Sequence, residues 1–185
     1  ETESYNAFPN ATRDKVVEAA LAGDNAAAII ACACYLGYRP SALLAIKKSD
    51  YDATERTVTG GSKPEAGMNL TIPVNPKIQP LIDRLMQNPT DFLFVPDGKP
   101  IKERTYREDY FYPCLARLGI QPVPKPGEKP TYTPYSCRHT FATAMKNIPG
   151  SQKDKAALMG HTSYEMTLKY QHEDIQSKRD IIEKL

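Results

Sequence analysis

Pro134-Tyr135-Ser136-Cys137-Arg138-His139-Thr140-Phe141-Ala142-Thr143, then Met159-Gly160-His161 and Tyr170 nine residues after that histidine, is the stretch whose reading decides the fold. Thr133 suits an N-cap and Pro134 a first helical position, so the spacing predicts a helix beginning there. Cys137, Phe141, Ala144 and Ile148 recur at i, i+4, i+7 and i+11 and give that helix a core stripe. Tyr135 and Arg138 are three apart and neighbour one another on an adjacent face. An arginine beside a buried stripe, near a helix N-terminus, is well placed to grip a phosphate with its planar fork. Taken alone, the same pattern fits a structural arginine paired with a carboxylate at the edge of the core even better.

Thr162-Ser163-Tyr164-Glu165 has the form of a capping box, which predicts a helix starting near Ser163. His161 then lies just outside that helix and Tyr170 about two turns within it. On one unbroken helix the pair would point roughly 180° apart, whereas a break at Thr162 lets both face one site. Upstream, Gly37-Tyr38-Arg39-Pro40-Ser41 places a second arginine at the start of a helix. Two arginines from separate helices can clamp both non-bridging oxygens of one phosphate and stabilise charge gained at a pentavalent phosphorus. Lys63 sits in a glycine-rich turn, where it could protonate a leaving oxygen or simply face solvent.

Outward from these boxes the chain reads as mostly helical. The first ten residues read as a frayed lead-in. A helix is expected from about Thr12 to Leu21, with Val16, Val17, Ala20 and Leu21 as its apolar stripe. Asp24 or Asn25 can cap a second, almost wholly apolar helix to Leu36, which Gly37 would stop. Pro40 opens a short third helix through Lys47. Thr57 to Thr59 and Asn69 to Ile72 alternate as strands around Gly60-Gly61-Ser62-Lys63-Pro64, a small antiparallel hairpin. A helix from Pro76 to Met86, a strand-like run from Phe92 to Val95 and a helix from Lys102 to Leu118 follow. Pro122, Pro124, Pro126 and Pro130 mark an extended surface loop, and three or four helices complete the chain.

Bulk properties exclude little. At 185 residues the chain suffices for one sizeable domain, and 41% hydrophobic with 25% charged residues is ordinary for a globular protein. Neither a membrane-spanning run nor a signal peptide is visible. Cys32, Cys34, Cys114 and Cys137 fall in apolar helical stretches without zinc-ligand spacing, which suits free buried thiols in a reducing cytoplasm. Residues 1–60 carry six basic and eight acidic side chains, the remainder eighteen and fourteen. This mildly basic second half suits nucleic acid without demanding it.

In their order along the chain, Arg39, Lys63, Arg138, His161 and Tyr170 resemble the catalytic domain of tyrosine recombinases, the integrases of phages and conjugative elements. The similarity runs from about Arg13 to His172, and the boxes 138–143 and Gly160-His161-x8-Tyr170 carry most of it. The resemblance implies an α+β fold, mainly α-helical, with a small antiparallel β-sheet on one side. It implies a single catalytic domain over 1–185, excised from a longer protein whose N-terminal DNA-binding domains are absent. Tyr170 would attack a DNA phosphodiester, forming a 3′-phosphotyrosyl link and releasing a 5′-hydroxyl. Arg39 and Arg138 would bind the scissile phosphate, Lys63 would act as general acid, and His161 would donate a hydrogen bond to the phosphate. No cofactor and no metal are implied.

Two positions depart from the family pattern. Tyr135 stands where a histidine is usual; a phenol can donate a hydrogen bond to phosphate but, ionising near ~10, is a poor base at neutral pH. Ala42 stands where an acidic residue commonly follows the first arginine. His139 is expected to pack under its helix. Implied partners are double-stranded DNA and other recombinase subunits in a synaptic complex, with a monomer expected without DNA, no membrane association and a cytoplasmic location. Ile175, Ile181, Ile182 and Leu185 give the tail over 173–185 a modest apolar face, which could dock on a neighbouring subunit or pack on its own chain. The competing readings are a catalytically weakened DNA-binding homologue and a helical interaction domain with coincidental motifs. A type IB topoisomerase shares the chemistry, but the His161–Tyr170 box favours a recombinase.

Overall fold

The computed structural model describes residues 6–61, 69–160 and 175–185. Its centre is the apolar run of the sequence. Helix α2 (Asn25–Leu36) is buried from Ala26 to Leu36, because α1 (Asn10–Leu21) and α7 (Tyr135–Lys146) pack against it. The Asp24 side chain accepts from the Ala27 N–H at 3.0 Å and caps α2. Gly37 ends it in the left-handed region at φ 77°, returning its N–H to Ala33 O. A Cβ on Gly37 would lie 2.3 Å from the Phe141 ring, so the same glycine lets α7 approach closely.

Helix α3 (Pro40–Leu44) follows, shorter than the sequence predicts, then a 3₁₀ turn (Lys48–Asp50). Strands β1 (Tyr51–Asp52), β2 (Thr57–Gly60) and β3 (Leu70–Pro73) form an antiparallel sheet in that order. Val58 faces Ile72 and Gly60 faces Leu70, and the Thr59 and Thr71 hydroxyls meet at 2.8 Å. Helix α4 (Gln79–Leu85) starts late because Asn75 Oδ1 accepts from the Lys77 N–H and holds Pro76 in a turn. The run Phe92 to Val95 is not a strand: it makes only an isolated bridge, Lys47 to Phe92. Leu93 N instead donates to Ile46 O, anchoring the buried run beneath the end of α3.

The helix expected over 102–118 is interrupted. It comprises α5 (Glu103–Thr105), a π-helical segment (Tyr106–Phe111) and α6 (Tyr112–Arg117). Pro113 has no N–H for Asp109 O and its ring crowds that carbonyl, so the helix takes in an extra residue and widens. After the proline-rich loop come α7, α8 (Gln152–Leu158) and α9 (Ile175–Ile182). The architecture is a mainly helical α+β domain with a small sheet to one side, as the sequence implies.

Local expectations fail at four further places. Leu21 is 54% exposed, since the buried face of α1 runs through Arg13, Val16 and Ala20. The lead-in is anchored: Phe8 is buried and its N–H donates to Thr140 Oγ1 at 2.9 Å. Thr133 does not cap α7; its hydroxyl is buried with no partner among the described residues, and its N–H donates to Ser136 Oγ. His139 is exposed rather than packed beneath its helix. All four cysteines are free and buried, and burial pushes the Cys32, Cys114 and Cys137 thiols up, which makes them poor nucleophiles.

Candidate active site

Two of the predicted residues meet at the helix ends around Gly37. The bend that Gly37 imposes sends the chain directly into α3, with Arg39 preceding Pro40 in extended backbone. Arg39 is exposed and makes no hydrogen bond or ion pair with another described residue. Arg138 projects from the first turns of α7 and is half-buried. Its Nη1 donates to Gly37 O at 2.7 Å and its Nη2 to Met159 O at 2.9 Å. These acceptors belong to the C-terminal ends of α2 and α8, where the helix dipoles present negative charge. The guanidinium plane is therefore fixed by main chain from two elements.

Burial, followed by the nearby Arg39 charge, holds Arg138 below the ordinary arginine value, while Tyr135 acts in the opposite direction. Three sequence candidates, Arg39, Tyr135 and Arg138, are thus within electrostatic reach of one another. Two like charges held together, one partly desolvated, are relieved by an anion placed between them. Lys63, His161 and Tyr170 lie outside the described residues.

Beside Arg39 opens a cleft of about 360 Å³ between α3 and the hairpin, lined among others by Ala42, Asp50, Thr59, Gly61 and Asn69. Ala42 is small for a reason visible here: a Cβ on Gly61 would lie 3.1 Å from the Ala42 Cβ, so the hairpin root passes close over α3. The carboxylate on the cleft wall is Asp50, whose Oδ2 accepts from the Lys47 N–H at 2.8 Å. Neither Asp50 on the cleft wall nor the buried Tyr38, whose ring lies beneath Gly61, was singled out in the sequence. The signal for Asp50 was the Lys47-x-x-Asp50 spacing of a capped turn; no sequence pattern marked Tyr38, which reads as one more apolar residue. Among the described residues no group of three His, Cys, Asp or Glu side chains could hold a metal ion, and no helix is long and apolar enough to cross a membrane.

A mainly helical α+β fold that brings two arginines together at helix ends has known relatives. The model of the Phage integrase family matches residues 5–177, and the chain belongs to that family. No curated protein sequence matches it. Among solved structures, XerA recombinase is similar at TM-score 0.66 and 23% identity, covering 95% of this chain and 63% of that one. The Tn1549 transposon integrase in complex with transposon right-end DNA gives 0.65 and 22%, covering 97% and 65%. A lambda integrase dimer bound to a COC′ core site gives 0.65 and 18%, covering 90% and 61%. The chain spans less than two thirds of the length of each, and at these identities the likeness is one of fold.

Proposed function

We propose that the chain is the catalytic part of a site-specific DNA recombinase, an integrase of a phage or other mobile element, working through a covalent protein–DNA intermediate. The observation that carries this reading is the pairing of exposed Arg39 with Arg138 pinned between Gly37 O and Met159 O. A pair of guanidinium groups so placed suits the two non-bridging oxygens of a phosphodiester. Family membership and the fold shared with DNA-bound integrases support the same substrate.

In this reading the Tyr170 oxygen bonds to phosphorus and the P–O5′ bond breaks. Lys63 gives its proton to the departing O5′, and the phenolic proton of Tyr170 leaves to water. Arg39, Arg138 and a hydrogen bond from His161 stabilise the charge on the phosphoryl oxygens in the transition state. Tyr135 replaces the usual histidine and donates to phosphate rather than accepting a proton. The phosphotyrosyl link retains the phosphodiester energy, so strand rejoining by a 5′-hydroxyl needs no nucleotide cofactor. Other recombinase subunits on double-stranded DNA are the expected partners; for residues 173–185 to reach a neighbour, α9 would first have to leave β3 and α8 of its own chain.

The test is a nicked suicide DNA substrate, in which the cleaved end diffuses away and traps the intermediate. The wild-type chain, in excess, forms a covalent adduct visible on a denaturing gel. Tyr170→Phe abolishes it. An adduct persisting in Tyr170→Phe, or lost instead in Tyr164→Phe, would overturn the nucleophile assignment. Non-covalent binding without adduct in the wild-type chain would indicate a binding-only homologue.

A further inference from the structure

Tyr38 occupies a joint that the chemistry above does not use. It is 2% exposed, and its hydroxyl lies 2.9 Å from Val58 O on β2 and 2.6 Å from Leu70 O on β3. A phenol has one proton, and here that proton is shared between main-chain carbonyls of two paired strands. Leu70 pairs with Gly60 as the last register pair before the strands part. The ring reaches further: a Cβ on Gly61, itself at φ 73°, would lie 2.7 Å from Tyr38 Cδ1. Only glycine satisfies both that close approach and that backbone. Burial, with Asp50 adding to it, pushes the phenol far above its ordinary value, so the proton stays in place at any working pH. Arg39 is the next residue in the chain.

We infer that Tyr38 is a positioning residue for strand cleavage, fixing the root of the β2–β3 hairpin against the arginine that holds the phosphate. The inference rests on the recombinase reading, in which Lys63, two residues beyond Gly61 in sequence, is the proton donor. Removing the Tyr38 hydroxyl leaves the ring to pack and Arg39 in place, but unties both strands at the point where the hairpin begins its turn. The defect then appears in proton delivery to the leaving group rather than in phosphate binding.

A leaving group that needs no proton isolates that step. In DNA carrying sulfur at the bridging 5′ position, the P–S bond breaks and a thiolate departs unprotonated, because a thiol ionises near ~8.5. Adduct formation is measured in single turnover on ordinary and sulfur-bridged suicide substrates for wild type, Tyr38→Phe, Gly61→Ala and Lys63→Ala. Tyr38→Phe is expected to slow cleavage of ordinary DNA by about 10- to 100-fold and to cut the sulfur substrate within about twofold of wild type. Gly61→Ala, which disturbs the joint from the hairpin side, gives the same selective loss and covers the case of a poorly folding Tyr38 variant. Equal slowing on both substrates, or wild-type rates on both, overturns the inference. A Lys63→Ala protein that gains nothing from the sulfur substrate overturns the general-acid reading itself, and the inference falls with it.

Discussion

A guanidinium that commits N–H groups to two main-chain carbonyls has its plane set before any substrate arrives. Arg138 does this with Gly37 O and Met159 O, and the lysine ammonium, a point charge on a flexible stem, cannot hold both acceptors and a phosphate in one plane. Arg138→Lys is therefore expected to lower the adduct-forming rate by about 100-fold or more, the scale of losing an oriented charge-stabilising donor. Its stability should fall only by about 1–3 kcal/mol, from the carbonyls left unpaired. Suicide-substrate kinetics beside a thermal melt check both numbers, and a rate near wild type would show that the orientation of Arg138 is immaterial. At this scale the sequence was half legible. Arg39 and Arg138 stood out through the helix-start boxes that carry them and their resemblance to a known family, since Arg138 taken alone fitted a structural arginine better. Tyr38 did not, since a tyrosine beside Leu36 and Gly37 looks like core until its hydroxyl is seen between two strands.

Elements were legible where a local rule had no competitor. Helix α2 has both its signals, an Asp24 cap and a Gly37 stop, around an unbroken apolar run, and the structure realises both. Thr133 fails as a cap because Ser136 offers its own hydroxyl to the Thr133 N–H and the turn closes the other way. The π segment was illegible as such, although Pro113 announced trouble one turn later. The Asp24 cap yields a prediction with a definite sign. Burial tends to raise the Asp24 pKa, but the Ala27 N–H and Arg117, at 3.0 Å, outweigh it and hold the carboxyl below its ordinary value of 3.8. A carboxylate depressed in the folded state contributes stability that is complete above its unfolded value and lost as pH falls through the folded one. Asp24→Ala should cost about 1–2 kcal/mol near neutral pH, nearly all of it from the cap because the partly exposed ion pair adds little. Denaturant titrations of both proteins between pH 6 and 2 should show the difference constant down to about 4 and shrinking below that. A difference that grew on acidification would contradict the assignment.

At the scale of the molecule, the alternation of helix-period and strand-period segments settled the α+β class, whereas the packing of distant segments could not be read. The lead-in illustrates this: Phe8 is held by Thr140 on α7, a contact spanning most of the chain. The C-terminal segment does the same. Asn75 Nδ2 donates to Ile182 O at 2.8 Å, Lys77 Nζ to Leu185 O at 2.6 Å, and Arg179 to Glu55 O. Ser177 Oγ donates to Asp154 Oδ2, so α9 rests on β3 and α8 of its own chain with Ile181, Ile182 and Leu185 buried. An apolar face covered in this way offers nothing to a second copy, so the chain alone should sediment as a monomer. Ile182→Ala removes a fully buried side chain and is expected to cost about 2–4 kcal/mol. That is a fall in Tm of roughly 4–16 °C for a domain of this size. Deleting residues 175–185 should go further, exposing the β3 and α8 surface and making the protein self-associate with rising concentration. Sedimentation velocity and thermal melts of the full chain, Ile182→Ala and the truncated form test the point together. If α9 contributed nothing in cis, Ile182→Ala would melt with the wild type and truncation would leave the monomer unchanged.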